Sequence, residues 1–230
     1  MAVVLAAGMG TRVGADGNKA YLPVAGRPMV AWSLETVTRM PEVARVVLVF
    51  RRGEEHLARD LVQAELSDRT VEFVEGGDSR HGSELNVLRH LAADIESGAV
   101  DVVLIHDAAR PTAGPAMFGT ALAVARRSGG AIPALPMPCV VTTDRKPLSG
   151  SLVRVQTPQA FQARPLLEAY RAAERDGFEG TDTSSCVETY TDVRVATFPG
   201  EQSNLKVTYA RDIAVAEHLL RQGLSAPDSR

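Results

Sequence analysis

Residues 1–22 read MAVVLAAGMGTRVGADGNKAYL, a short apolar run that leads directly into a glycine-rich loop and a single lysine. Such a run followed by small residues is typical of the first strand of an α/β domain, because glycine allows the backbone to approach a ligand closely. Further short apolar runs alternate with amphipathic stretches along the chain. This alternation predicts an α/β fold with a Rossmann-like, mostly parallel sheet flanked by helices.

The predicted elements follow from hydrophobic periodicity. Residues 138–152 are polar and rich in turn formers, and we expect them to form an arm that protrudes from the sheet. Residues 1–222 are expected to form a single domain, and residues 223–230 a frayed tail. Strands are expected at 2–7, 44–50, 71–76, 100–107, 130–137, 153–158 and 193–199, and helices at 28–39, 54–65, 83–94, 114–127, 163–176 and 210–222.

Composition excludes several classes of protein. The chain has 230 residues and a net charge of −3, with no dense basic run, so it lacks the electrostatic footprint of a nucleic-acid-binding protein. Its two cysteines, Cys139 and Cys186, have no metal or redox spacing, which suits a reducing compartment. No segment has the length of a membrane span or the pattern of a signal peptide. A cytoplasmic protein with no membrane or nucleic-acid partner is expected.

Lysine is rare in this sequence. Only Lys19, Lys146 and Lys206 are lysines among the 25 basic residues, and the others are arginine. A lysine retained against such a bias indicates a site that needs a compact ammonium rather than a planar guanidinium. Lys146 lies in a polar turn, where a surface role is expected. Lys19 and Lys206 lie in motif-like surroundings, and we expect them to be functional.

The first loop fits neither of two common phosphate-binding motifs. The dinucleotide fingerprint needs a small residue at position 13, where Val13 stands, and no G-K-[ST] ending follows the glycines. The spacing also disfavours a dehydrogenase. The remaining interpretation is a loop whose backbone amides approach an anion, with Arg12 and Lys19 beside it. Two cations and a set of amides suit a triphosphate better than a single phosphate.

Four polar clusters follow predicted strands, at the edge of the sheet where parallel α/β folds bind ligands. Asp107 ends an apolar strand, so its carboxylate needs a partner: either Mg²⁺ that bridges triphosphate oxygens or a structural ion pair. Ser83 is expected either to cap the helix that follows or to contact a ligand. The clusters are AAGMGTR (6–12), EGGDSRHGS (75–83), HDAARP (106–111) and QTPQ (156–159).

These motifs resemble those of a known enzyme family. LAAGMGTR followed by NKAYLPVAGRPM is similar to the opening of the sugar-phosphate nucleotidylyltransferases. GGDSRHGS, HDAARP, VQTPQAF (155–161) and NLKVT (204–208) narrow the resemblance to the 2-C-methyl-D-erythritol 4-phosphate cytidylyltransferases of the non-mevalonate isoprenoid pathway. The resemblance implies transfer of a cytidylyl group from CTP to a polyol phosphate, most readily 2-C-methyl-D-erythritol 4-phosphate, with release of pyrophosphate. It also implies Mg²⁺ as the cofactor and a homodimer.

The same resemblance implies roles for individual residues. His106 matches the motif but is expected to be structural. The expected roles are catalytic for Arg12, Lys19 and Lys206; nucleotide-binding for Ala6, Ala7, Gly8, Gly10, Gly77, Asp78 and Ser83; acceptor-binding for Arg110 and Thr157; and metal-binding for Asp107.

The sequence departs from the family pattern mainly in the half that binds the acceptor. Arg145 is a candidate to replace a family arginine of the arm, although its spacing differs. The departures are Asn18 for Pro; Cys139, Val140 and Thr142 for Asp, Thr and Lys; Ser149 for the arm Arg; and Thr183 for an acid.

Three alternatives remain open at this point. In the first alternative, the acceptor is ribitol 5-phosphate or another sugar phosphate. The second is a molybdenum-cofactor guanylyltransferase, which HDAARP and the TPQ run disfavour. The third is a nucleotide-binding relative that has lost turnover, which the presence of Arg12, Lys19, Asp107 and Lys206 disfavours.

Overall fold

The computed structural model describes residues 1–8, 10, 17–138, 140, 143–144 and 150–225. The expectations for Arg12, Cys139, Thr142, Arg145 and Ser149 concern positions outside these residues, as does most of the predicted arm. Among the described residues, no helix has both the length and the apolar character needed to cross a membrane.

The described chain alternates strands and helices, as the sequence predicts. A single 3₁₀ turn, Lys19–Tyr21, follows the first loop. The strands are β1 (Ala2–Leu5), β2 (Pro23–Val24), β3 (Arg27–Pro28), β4 (Val46–Phe50), β5 (Glu72–Glu75), β6 (Val102–Asp107), β7 (Gly129–Pro136), β8 (Val153–Val155), β9 (Gln159–Gln162) and β10 (Arg194–Pro199). The helices are α1 (Met29–Thr38), α2 (Glu55–Glu65), α3 (Arg80–Ser97), α4 (Pro115–Ser128), α5 (Ala163–Asp176), α6 (Thr183–Tyr190) and α7 (Ala210–Ser225).

The main sheet has the strand order β10-β7-β9-β6-β1-β4-β5, with β8 paired to β7. Strands β6, β1, β4 and β5 are parallel, as are β10 and β7, whereas β9 is antiparallel to both β6 and β7. The predicted Rossmann-like, mostly parallel sheet is therefore confirmed. The register pairs Leu5 with both Val49 and Asp107, so the first loop leaves the sheet directly beside Asp107.

The core lies on both faces of the sheet. Alternate residues of β4 point to opposite faces, and every residue of this strand is buried, which explains its unbroken apolar sequence. Helices α1, α2 and α4 cover one face of the sheet, packing with Leu48. Helices α3, α5 and α6 cover the other face, packing with Val47 and Val49.

Three features differ from the sequence-based expectation. The strand expected at 153–158 ends at Val155 as β8, and an unpredicted strand, β9, begins after Gln156, Thr157 and Pro158. The short hairpin of β2 and β3 and helix α6 were not predicted. Helix α6 has only eight residues, and Asp182 begins it with a side-chain cap to the amide of Ser185 rather than with an apolar repeat.

The predicted arm leaves the sheet from a closed base. Strands β7 and β8 pair in antiparallel fashion with Pro136 opposite Val153. The amide of Met137 then donates to the carbonyl of Leu152 at 2.9 Å. The two ends of residues 138–152 are therefore joined to each other before the chain returns to the sheet.

We expect Leu48→Ala to lower the free energy of unfolding by about 2–5 kcal/mol, because it leaves a cavity in a fully buried strand. Leu57→Ala is the matched control, because Leu57 is 43% exposed on α2 and its truncation should change stability by no more than about 0.5 kcal/mol. Urea unfolding of both variants measures the difference. Equal effects of the two substitutions would contradict the described core.

Candidate active site

A cavity of about 380 Å³ opens at the edge of the sheet where the loops after β1, β5 and β6 meet. The sequence predicted this location from the polar clusters that end the strands. Lys206 and Thr208, which follow β10, close another side of the cavity. The predicted residues that line it are Ala6, Ala7, Gly8, Gly10, Lys19, Gly77, Asp78, Ser83, Asp107 and Lys206.

Lys19 reaches into the cavity from the 3₁₀ turn. Its Nζ donates to the carbonyl of Val207 at 2.9 Å. The aliphatic part of its side chain passes over Gly10, where an added Cβ would lie 2.6 Å from the Cβ of Lys19. Gly10 also has a φ of +65°, a conformation that favours glycine. The glycine at position 10 therefore leaves room for the lysine.

Asn18 positions this turn. Its Oδ1 accepts from the amide of Ala20 at 3.0 Å, which caps the 3₁₀ turn. Its Nδ2 donates to the carbonyl of Ala6 at 2.6 Å and to Glu54 at 2.8 Å. A proline at position 18 has no side-chain donor or acceptor and makes none of these bonds. Asn18, where the family pattern has proline, therefore links the first loop directly to the turn that carries Lys19.

Asp107 lies between two cations at the end of β6. Its Oδ2 lies 2.7 Å from Nζ of Lys206, and its Oδ1 lies 3.4 Å from Nη2 of Arg80. Burial alone would raise the pKa of Asp107, but the charges of Arg80 and Lys206 outweigh it and hold the pKa well below its usual range. The carboxylate is therefore ionised at neutral pH. The ion pair expected as one alternative for Asp107 is present.

Arg80 is the functional candidate that the sequence reasoning missed. It lies inside the GGDSRHGS motif, lines the cavity and faces Asp107. Its position between Gly77 and Ser83, both of which the sequence assigned to the nucleotide, was the available signal. A motif alone does not show which of its charged side chains points inward, and the exposed Asp78 points the other way, with 95% of its side chain accessible.

Ser83 does not cap a helix, so that prediction is wrong. Helix α3 begins three residues earlier, and Ser79 is its cap, with its Oγ accepting from the amide of Gly82 at 3.0 Å. Ser83 instead fixes the loop: its Oγ accepts from the amide of Gly77 at 3.1 Å and donates to the carbonyl of Ser79 at 2.8 Å. A contact between Ser83 and a ligand stays a prediction.

Arg110 and Thr157 lie beneath the cavity, behind Asp107. The Oγ1 of Thr157 accepts from the amide of Asp107 at 3.0 Å. Arg110 is 9% exposed, and its Nη1 donates to the carbonyl of Asn204 at 2.8 Å. The same asparagine donates from Nδ2 to the carbonyl of Thr157 at 2.9 Å. These bonds hold the HDAARP, QTPQ and NLKVT segments together.

His106 is fully buried next to these residues. Its Nε2 lies 3.1 Å from the carbonyl of Arg110, and its Nδ1 lies 3.2 Å from Oγ1 of Thr157. Burial lowers the pKa of His106 to about 4, so the imidazole is neutral at pH 7. A buried, neutral and hydrogen-bonded ring agrees with the structural role expected for it.

The cavity can hold a metal ion only together with phosphate oxygens. Asp107 is the carboxylate that faces the cavity, since the side chain of Asp78, which also borders it, is 95% exposed, and no group of three or more His, Cys, Asp or Glu suited to a metal occurs in the described part of the chain. Mg²⁺ commonly binds through one or two carboxylates and completes its shell with substrate phosphates and water. The donor set therefore fits a metal ion that arrives with a polyphosphate.

Comparison with known proteins identifies close relatives. The sequence model of the 2-C-methyl-D-erythritol 4-phosphate cytidylyltransferase family matches residues 1–222. Proteins of that name from Acidobacterium capsulatum and Cereibacter sphaeroides are 33% and 36% identical, with 96% and 95% of this chain and 96% of each relative covered.

Solved structures agree with the sequence matches. The 4-diphosphocytidyl-2C-methyl-D-erythritol synthase of Anaerococcus prevotii is 27% identical with a TM-score of 0.79, covering 96% of this chain and 95% of that one. The 2-C-methyl-D-erythritol 4-phosphate cytidylyltransferase of Thermus thermophilus is 30% identical with a TM-score of 0.72, covering 96% and 98%.

We expect Gly77→Ala to lower the free energy of unfolding by about 1–3 kcal/mol, because it overpacks the loop. An added Cβ would lie 2.6 Å from the carbonyl carbon of Gly82, a backbone atom that cannot rotate away. Gly82→Ala is the matched control: its Cβ would meet nothing closer than 3.5 Å, and alanine favours the helix by about 0.5–1 kcal/mol. Urea unfolding should separate the two, and equal stability would contradict this packing.

Proposed function

The chain belongs to the 2-C-methyl-D-erythritol 4-phosphate cytidylyltransferase family, and on that basis we propose that it transfers the cytidylyl group of CTP to 2-C-methyl-D-erythritol 4-phosphate, releasing pyrophosphate for isoprenoid precursor synthesis. The family resemblance read from the sequence motifs is confirmed. The observation that carries the assignment to this site is the convergence of Lys19, Lys206 and Asp107 on one cavity at the edge of the sheet.

The reaction is a displacement at phosphorus. An oxygen of the acceptor phosphate attacks the α-phosphorus of CTP, and a new P–O bond forms there. The bond from the α-phosphorus to the oxygen that bridges to the β-phosphate breaks, and pyrophosphate leaves with the electron pair. Since the second pKa of a phosphate monoester is about 6, the nucleophile is charged near neutrality and needs no general base.

The protein's main task is therefore to hold two anions in line and neutralise the charge that builds up. Lys19 and Lys206 both supply ammonium groups to the cavity: that of Lys19 is held at the carbonyl of Val207, and that of Lys206 at Asp107. Arg12, outside the described residues, is proposed as the third cation. A lysine at position 19 fits because its compact charge can follow the phosphate oxygens as their geometry changes.

Asp107 is proposed to hold Mg²⁺ together with the triphosphate. When bound, Mg²⁺ would supply positive charge that offsets the charge of the phosphates. Asp107 would hold the ion, and Lys206, which lies 2.7 Å from the Asp107 carboxylate, would supply a second positive charge beside it.

The base of CTP is proposed to lie against the first loop and the GGD segment. Ala6, Ala7, Gly8, Gly10, Gly77, Asp78 and Ser83 form this part of the proposed site. The amide of Ala6 is already used, donating to the carbonyl of Val49 at 2.9 Å, and its carbonyl accepts from Asn18. A carbonyl has a second lone pair, so Ala6 retains capacity to accept from the amino group of cytosine.

Arg110 and Thr157 are proposed to support the acceptor phosphate. In the described arrangement Oγ1 of Thr157 and Nη1 of Arg110 bond to protein, whereas the buried Nε of Arg110 has no hydrogen-bond partner among the described residues. The arm at 138–152 is proposed to complete the acceptor site across a homodimer. A cytoplasmic location is proposed from the cysteine pattern.

The direct test is pyrophosphate release by the full chain with CTP, Mg²⁺ and a panel of acceptors. We expect release with 2-C-methyl-D-erythritol 4-phosphate, and its loss on chelation of the divalent cation. Release with ribitol 5-phosphate alone would overturn the acceptor assignment. A complete absence of release with every acceptor tested would favour the non-catalytic alternative. Undiminished release after chelation would contradict the role of Mg²⁺.

Lys19→Arg should lower kcat by at least about tenfold, since the guanidinium is larger, fixes one planar arrangement and enters a side-chain path that is already packed over Gly10. Arg59→Lys exchanges the same two side-chain types at an exposed position on α2, away from the cavity, and should leave kcat unchanged. Steady-state kinetics of both variants give the comparison. Full turnover by Lys19→Arg would show that a compact ammonium is not required.

A further inference from the structure

Glu84 is a buried carboxylate that none of the roles described so far uses. It lies in the second turn of α3, and only 1% of the residue is exposed. A buried charge is costly unless it is paired and hydrogen-bonded, and replacing such a pair with apolar residues is often neutral or stabilising. Packing alone therefore does not account for a carboxylate at this position.

The oxygens of Glu84 are held by three partners from three helices. Oε1 accepts hydrogen bonds from Nη1 of Arg80 and from the hydroxyl of Thr183, the latter at 2.8 Å. Oε2 accepts from the hydroxyl of Tyr170. Burial and the neighbouring Glu84 raise the pKa of Tyr170 well above its usual range, so the phenol keeps the proton that it donates.

Arg80 links this network to the cavity. Its Nη1 is bonded to Glu84 and lies 3.1 Å from Oγ1 of Thr183, whereas its Nη2 lies 3.4 Å from Oδ1 of Asp107. One edge of the guanidinium is thus fixed inside the protein, and the other edge faces the cavity. Burial would lower the pKa of Arg80, but the carboxylates of Glu84 and Asp107 outweigh it, so the guanidinium is charged.

We infer that Glu84 is a positioning residue for Arg80, and that Arg80 is a further phosphate-contacting cation of this site. The inference rests on the proposed nucleotidyl transfer. Glu84, Thr183 and Tyr170 fix the orientation of the guanidinium before substrate arrives. A fixed donor stabilises developing phosphate charge without reorganising during the reaction, which is where preorganised electrostatics has its largest effect.

Thr183 fits this arrangement. It stands where the family pattern has an acid, and its hydroxyl contacts the carboxylate of Glu84 and lies near the same guanidinium nitrogen. Of the two carboxylates beside Arg80, Glu84 therefore comes from α3 and Asp107 from the end of β6. Arg80 and Glu84 are one helical turn apart, so the pair is formed within a single helix.

A double-mutant cycle tests whether Glu84 acts through Arg80. Glu84→Gln and Arg80→Ala should each lower kcat with CTP and 2-C-methyl-D-erythritol 4-phosphate by about tenfold or more, with a smaller effect on the KM of CTP. The double variant should be no slower than Arg80→Ala alone. The matched control is Arg89→Ala with Glu174→Gln, an exposed Arg–Glu pair between α3 and α5, which should leave kcat unchanged.

Two results would overturn the inference. One is full kcat in a folded Glu84→Gln variant. The other is that Glu84→Gln lowers kcat in the Arg80→Ala background by the same factor as in the unmodified protein. If Glu84→Gln does not fold, Thr183→Val takes its place in the same cycle, with a loss of kcat that must vanish in the Arg80→Ala background. Absence of turnover in the unmodified protein would instead count against the proposed function, so the two failures are distinguishable.

Discussion

The need to balance the negative charge of one carboxylate, that of Asp107, organises this site. Asp107 ends a strand buried on both faces, and its charge is stabilised by Lys206 and Arg80, while its amide donates to Oγ1 of Thr157. These partners come from segments far apart in the sequence. Satisfying Asp107 therefore brings the GGDSRHGS, QTPQ and NLKVT segments to the same edge of the sheet, where the register of β1 and β6 has already placed the first loop.

The cations of the site are held in place by protein acceptors. Lys19 bonds to the carbonyl of Val207, Lys206 to Asp107 and Arg80 to Glu84. Each positive charge thus has a protein partner before an anion enters, which limits electrostatic repulsion among the cations. An incoming polyphosphate competes for these charges, so the strength of the internal pairs sets part of the cost of binding.

The sequence was sufficient for the fold and for most of the cavity wall, because both depend on local pattern. Unbroken apolar runs such as β4 predict buried parallel strands, and the polar clusters that follow strands predict the edge where ligands bind. Strand β9 was missed because QAFQ alternates too briefly to be distinguished from the turn before it. The capping alternative for Ser83 was wrong because Ser79 is an equally good cap, and only packing decides between the two serines. Arg80 and Glu84 were missed because a pair buried by tertiary contacts with α5 and α6 leaves no periodic signal.

The closed base of residues 138–152 has a consequence for how this chain tolerates change. Since the amide of Met137 bonds to the carbonyl of Leu152, the two strands that enter and leave this excursion are held together at its base. We therefore expect substitutions between the two joined ends to leave Thr157 and the strand end at Asp107 in place. Most departures from the family pattern, at Cys139, Val140, Thr142 and Ser149, lie between these ends.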